Sequence, residues 1–370
     1  MGGYPDGQEV VTAFQNSSSA TGFLLPSLEA SPANVAFEKA QSRSPQPSLP
    51  WDERRVTALD GVRLIACLSV IWVHSDFGPT LQHIGRMGTT CFATMAAMFV
   101  LRAARVDAQK SYLSYLAQRF RQLMVPALIW VTLAMIPVEY RNLTLGKTFY
   151  WPSIEDVLCG RSRFLWFLPF AFVMSALLFP LGRLLTQLSR NGAGTIANGF
   201  CVLGLFLAVL PDQNFESLGE HAYLPERAWE CLPVICWTIS LDIWLRAMPT
   251  ICGKWWLAVL GAAMAVLGTA SIFTVGFTVL GKNVSGFGLY LIAIGSMLSP
   301  AWRWLAPVGR LSFGIYLVHA FVIGTVRLIP GLHADGTLLR TFPYFLLIAC
   351  LSLGMAVLVR SNRWTSWMLR

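Results

Sequence analysis

The chain has 370 residues, of which 55% are hydrophobic and only 13% charged, with fourteen Trp and twenty-three Phe, and a mean hydropathy of +0.55. A soluble domain carries about 25% charged residues, so the composition excludes the two or three soluble domains that length alone suggests and indicates a polytopic membrane protein. The net charge of +9 does not point to nucleic acid, because Lys and Arg are spread between apolar segments and are not gathered on one face.

Residues 1–56 form the first region. Ser17-Ser18-Ser19 and the run Ser44-Pro45-Gln46-Pro47-Ser48-Leu49-Pro50 sustain no apolar period, so a disordered cytoplasmic tail, or translation starting further downstream, is expected. A signal peptide is not expected, since no basic start leads into an apolar stretch. Ten apolar segments follow, near 58–76, 86–103, 121–138, 164–182, 195–211, 228–246, 255–274, 284–300, 308–327 and 342–359. The expected fold is an all-α membrane protein, a bundle of about ten transmembrane helices over 57–370. With the N-terminus inside, sixteen Lys and Arg, including Arg105, Arg310 and Arg360, fall on the inner side. Nine fall in outer loops, including Arg86, Arg227 and Lys282, as does the acidic loop 212–226. The excess places both termini in the cytoplasm.

The first segment holds Arg63 and His74, eleven positions apart. At about 100° per residue they return to within about 20° of one helix face, separated by a rise of roughly 16 Å. Ionisable groups at such depth are costly and mark function, and a neutral imidazole among apolar residues suits a general base. The third segment opens on Arg119-Phe120-Arg121-Gln122. For Arg119 and Arg121 an anionic ligand competes with ordinary inner-face anchoring, and anchoring is preferred for Arg102 and Arg105.

The ninth segment carries Ser312, Tyr316 and His319 at i, i+4, i+7, a polar stripe on one face. A hydrogen-bond network between helices and a direct site role for His319 stand equally. Glu230 and Asp242 in the sixth segment are read as structural, and His83, His221 and His333 as solvated loop residues. The eight Cys show no Cys-x-x-Cys and no ligand spacing with His, so neither a disulfide framework nor a metal site is expected. Cys67 precedes His74 by seven positions, but a small apolar thiol in a helix interface is preferred to an acyl-cysteine. No phosphate-cradling Gly loop, dinucleotide fingerprint, His-Glu-x-x-His or nucleophile elbow occurs.

Three stretches resemble the acyltransferase-3 family of integral-membrane O-acyltransferases: Leu59-Asp60-Gly61-Val62-Arg63 through His74, Phe164-Leu165-Trp166-Phe167-Leu168-Pro169, and Gly309-Arg310-Leu311-Ser312-Phe313-Gly314-Ile315-Tyr316-Leu317-Val318-His319. Departures are Gln122 in place of the second Arg of an Arg-x-x-Arg pattern, Phe164 where many relatives have His, and no Ser-Gly in the second segment. The resemblance is to stand-alone members of the exopolysaccharide acetyltransferase kind. It implies a bacterial cytoplasmic (inner) membrane enzyme moving an acyl group, acetyl in the first instance, from acyl-CoA as co-substrate to a sugar hydroxyl. The acceptor would be a glycan or a lipid-linked oligosaccharide. In that scheme His74 and His319 are the catalytic candidates. Arg63, Arg119 and Arg121 bind the donor, while Ser312, Tyr316 and Trp166 support the acceptor or the oxyanion. Two rivals are a transporter or flippase of a lipid-linked saccharide, against which no internal repeat or paired broken helices are found, and a membrane scaffold.

Overall fold

A computed structural model describes residues 57–75, 77–107, 109–149, 164–188, 190–210, 223–275, 279–329 and 338–362. The tail 1–56, His221, His333 and the acidic residues Asp212, Glu216 and Glu220 lie outside the described residues. All regular structure among the described residues is helical.

The chain runs through α1 (Thr57–Val73), α2 (Pro79–Gly85), α3 (Met87–Val106), α4 (Tyr112–Arg119) and, after a π-helical turn (Phe120–Met124), α5 (Val125–Thr144). There follow α6 (Phe167–Leu185), α7 (Arg190–Val209), α8 (Tyr223–Ala247), α9 (Trp255–Val275) and α10 (Val279–Gly295). The set ends with α11 (Trp302–Gly309), α12 (Ser312–Val326) and α13 (Leu338–Ser361). Each of the ten apolar segments coincides with a helix or, for α11 and α12, with a bent pair. Seven helices are long and apolar enough to cross a bilayer, and the bent pair makes an eighth if counted as one. The other two segments, α1 and α10, have 17 residues each. That gives about 25 Å of helix against a hydrocarbon core of about 30 Å, and α1 also carries Asp60 and Arg63.

The core forms two side-chain clusters. One unites α3, α6, α7, α8 and α10, and the other unites α1, α5, α12 and α13 around Ile71, Trp130, Leu317 and Ile348. Helices α9 and α10 approach so closely that a Cβ on Gly261 would lie 2.5 Å from the Gly288 carbonyl oxygen. Small residues permit that approach where lipid supplies no hydrophobic drive between helices. The outward faces of α7 and α9 are apolar, with Val202, Phe206, Val266 and Leu267 more than half exposed, as a lipid-facing surface requires.

Two local features position the site. After Val73 the first helix ends in a tight turn, with His74 N donating to the Ile71 carbonyl at 3.0 Å. Short α2 then folds back on α1, held by Trp72 Nε1 to the Leu81 carbonyl and Gln82 Nε2 to the Val73 carbonyl, both 2.7 Å. His74 thus sits at the end of its helix, and the region expected as an outer loop is a folded hairpin.

The second feature is the 54° bend between α11 and α12. Pro307 lacks an N–H and weakens the last turn of α11. Gly309 at the bend presses against α1, where a Cβ would lie 2.0 Å from the Asp60 carbonyl oxygen. That approach joins two stretches 250 residues apart in sequence: Arg63 Nη1 and Arg310 Nε each lie 3.8 Å from the Asp60 carboxylate.

Candidate active site

Two cavities lie end to end among these helices. The larger, about 520 Å³, is lined by Arg63, Arg119, Gln122 and Arg310, with Met95, Phe99, Leu168 and Phe313 among its apolar walls. The smaller, about 80 Å³, is lined by His74, Arg86, Trp166, Arg227, Glu230 and Lys282, together with Phe164 and Cys231. Phe92, Phe167 and Tyr316 line both. These three rings touch, with Phe92 to Tyr316 centroids 6.0 Å and Phe167 to Tyr316 centroids 6.4 Å apart, so they form an aromatic throat between the cavities. The eleven-position step from Arg63 to His74 places one residue on each side of that throat.

His74 is half-buried and lies tilted against Phe164, with ring centroids 4.7 Å apart, and near His319 at 5.6 Å. Phe164 gives the imidazole pair an apolar cover. His319 is fully buried and stands behind His74, lining neither of the two cavities. Its Nδ1 meets the Tyr316 carbonyl oxygen. A carbonyl only accepts, so Nδ1 carries the proton and Nε2 is left with a lone pair. That Nε2 has no hydrogen-bond partner among the described residues.

Among the described residues, the side chains of Ser312, Tyr316 and His319 share no hydrogen bond with one another. Tyr316 Oη donates to the Phe164 carbonyl at 3.0 Å, fixing the chain just before α6. Ser312 Oγ is buried without a partner among the described residues and lines neither cavity. Its carbonyl accepts from the Cys67 thiol at 3.4 Å, which ties α12 to α1. Cys67 itself reaches neither cavity.

Of the predicted donor residues, Arg63 and Arg119 reach the larger cavity, whereas Arg121 is exposed and does not line it. The reason is geometric: residues two apart point roughly 200° apart on a helix. Arg119 and Gln122, three apart, share the cavity face. They also touch, Nη1 to Oε1 at 3.4 Å, and Tyr115 steadies Arg119 by accepting from Nε at 3.0 Å. Sequence reasoning missed Arg310, although it stands inside the Gly309–His319 stretch. A signal existed in the Gly309-Arg310 pair, which brings a guanidinium to α1 only because glycine admits the approach.

Three residues expected in outer loops take other places. Arg227 lies within α8 and Lys282 within α10, while Arg86 lines the smaller cavity at the α2–α3 joint. Lys282 is buried and its Nζ is 2.5 Å from Glu230 Oε2, while Arg227 Nη1 is 2.7 Å from Glu230 Oε1. Glu230, read from the sequence as structural, is thus the centre of a charge cluster. A buried cation requires such a partner, and the eighth apolar window, beginning at 284, left Lys282 just outside it. Asp242 pairs with Arg105 and, at 3.2 Å, with Arg246, so Arg105 does more than anchor. No group of His, Cys, Asp and Glu suited to a metal occurs among the described residues.

No curated protein and no solved structure matches the chain. The family model described as "Acyltransferase domain" matches residues 56–360, a region that contains every helix lining the two cavities. The protein is a multi-pass membrane acyltransferase and belongs to the acyltransferase-3 family.

Proposed function

We propose that the protein is an O-acyltransferase that moves an acyl group, acetyl in the first instance, from a cytoplasmic acyl-CoA to a sugar hydroxyl of a cell-surface glycan or exopolysaccharide. In this reading it lies in a bacterial inner membrane with ten spans and both termini inside. One observation carries the proposal: a large cavity with three guanidiniums meets a small cavity containing His74 across the throat of Phe92, Phe167 and Tyr316.

The donor's phosphates belong with Arg63, Arg119 and Arg310, since guanidiniums bind phosphate oxygens in fork geometry. The pantetheine arm occupies the apolar length of the larger cavity, and its thioester reaches the throat. The acceptor hydroxyl enters from the smaller cavity. His74 removes its proton as the oxygen attacks the thioester carbonyl. The carbon–sulfur bond then breaks, the ester forms, and CoA leaves as thiolate, to be protonated by the His74 imidazolium.

His319 is a positioning residue in this scheme. When His74 gains a proton it has two N–H donors, and the His319 Nε2 lone pair is a nearby acceptor for one of them. Tyr316 holds the Phe164 segment and with it the apolar cover over His74, and Trp166 walls the acceptor side.

The test is purified protein in proteoliposomes with radiolabelled acetyl-CoA inside and candidate glycans outside. Transfer of label to glycan, abolished by His74→Ala at equal protein level, is expected. Label that stays on CoA with every glycan offered, or undiminished transfer by His74→Ala, sinks the reading.

A further inference from the structure

A third cavity of about 460 Å³ opens at the same end of the bundle as Arg63, between the α11–α12 bend and the last turn of α13. Its walls are Pro307, Arg310, Leu311, Val357, Arg360 and Ser361. Arg310 also lines the 520 Å³ cavity, so the two are neighbours across one guanidinium. We propose that this cleft holds the phosphate of the nucleotide end of the acyl-CoA donor, with Arg310 and Arg360 as its ligands. This rests on the donor being an acyl-CoA.

Three observations support that assignment. First, the charge has the right sign. Two guanidiniums face the cleft and, among the described residues, no carboxylate lines it. The C-terminal end of α13 contributes about half a negative charge, which the two cations outweigh. Second, the guanidiniums have capacity. Arg310 meets Asp60 only through Nε, at 3.8 Å, and Arg360 is exposed at the end of α13. Third, apart from Ser361 the rest of the cleft is apolar (Pro307, Leu311 and Val357), as a purine and ribose face requires, while a bare phosphate needs no such wall. Placed there, the nucleotide lies outside the bundle, the pyrophosphate spans Arg310 to Arg63 and Arg119, and the pantetheine runs inward to the throat. A phosphate ester on an inner-leaflet lipid offers the same charge to Arg360, so the test separates the two sources.

Wild type and Arg360→Gln are purified in nanodiscs of zwitterionic lipid and titrated with CoA and with dephospho-CoA, which lacks the 3′-phosphate. The wild type should prefer CoA by about tenfold. Arg360→Gln should lose that preference while its affinity for dephospho-CoA stays unchanged. A preference that survives Arg360→Gln, or equal weakening toward both ligands, overturns the inference and leaves the acyl-CoA reading standing. A wild-type preference that vanishes in discs rich in phosphatidylglycerol assigns the cleft to the lipid headgroup and overturns it as well. A wild type that binds neither ligand overturns both this inference and the acyl-CoA reading beneath it.

Discussion

The two cavities that meet at the aromatic throat handle charge in opposite ways. In the larger, Arg63, Arg119 and Arg310 sit at the edges of an apolar space, and Arg63 and Arg310 share one carboxylate at 3.8 Å. In the smaller, Arg227, Glu230 and Lys282 are locked to one another at 2.5–2.7 Å, with Lys282 only 2% exposed. In the proposed reading the guanidiniums of the larger cavity take the donor's phosphates, while the ion-pair cluster of the smaller one holds the wall around His74.

The largest effect expected is at His74. Its replacement by Ala should lower the rate of acyl transfer by about 10²–10⁴-fold with protein abundance unchanged, measured as label transferred to glycan. Next comes Lys282→Ala, which strips the half-buried Glu230 carboxylate of its shortest contact. A loss of about 3 kcal/mol is expected, seen as a lowered unfolding temperature in detergent, and part of it should return in the double variant with Glu230→Gln. A thermal shift absent from Lys282→Ala would mean the small cavity's wall does not depend on this cluster.

Arg63→Ala tests the other side of the comparison. It should raise KM for acyl-CoA about tenfold while leaving kcat close to wild type, the signature of lost binding shared by ground and transition states. The smallest effect belongs to Arg121→Ala, which should stay within about twofold of wild type because its side chain points away from the cavity. Equal losses from Arg63→Ala and Arg121→Ala would erase the distinction between a cavity wall and an exposed face.

How much of this was readable beforehand depends on whether contacts were local. The helical segments were legible because apolar runs report membrane helices directly, and the Arg63–His74 relation followed from helical pitch alone. The same pitch explains why Arg121 does not line the larger cavity while Arg119 does, since residues two positions apart on a helix point to opposite faces. The Lys282–Glu230 pair was hidden because its partners lie on different helices, 52 residues apart. A lysine beside an apolar run also looks like a loop residue until its counter-ion is located. Arg310 was visible as a residue but not as a cavity wall. Only the contact of Gly309 with the Asp60 backbone brings it to Arg63, and no pattern along one helix encodes that.

The proposed reaction divides its labour across the throat, with the donor bound on one side and the proton moved on the other. Equilibrium titration of acyl-CoA onto purified His74→Ala and Arg63→Ala tests it most directly. His74→Ala, though inactive, should bind the donor within about twofold of wild type, while Arg63→Ala should bind it about tenfold more weakly. Equal affinities for the two variants, or a binding defect confined to His74→Ala, would contradict it.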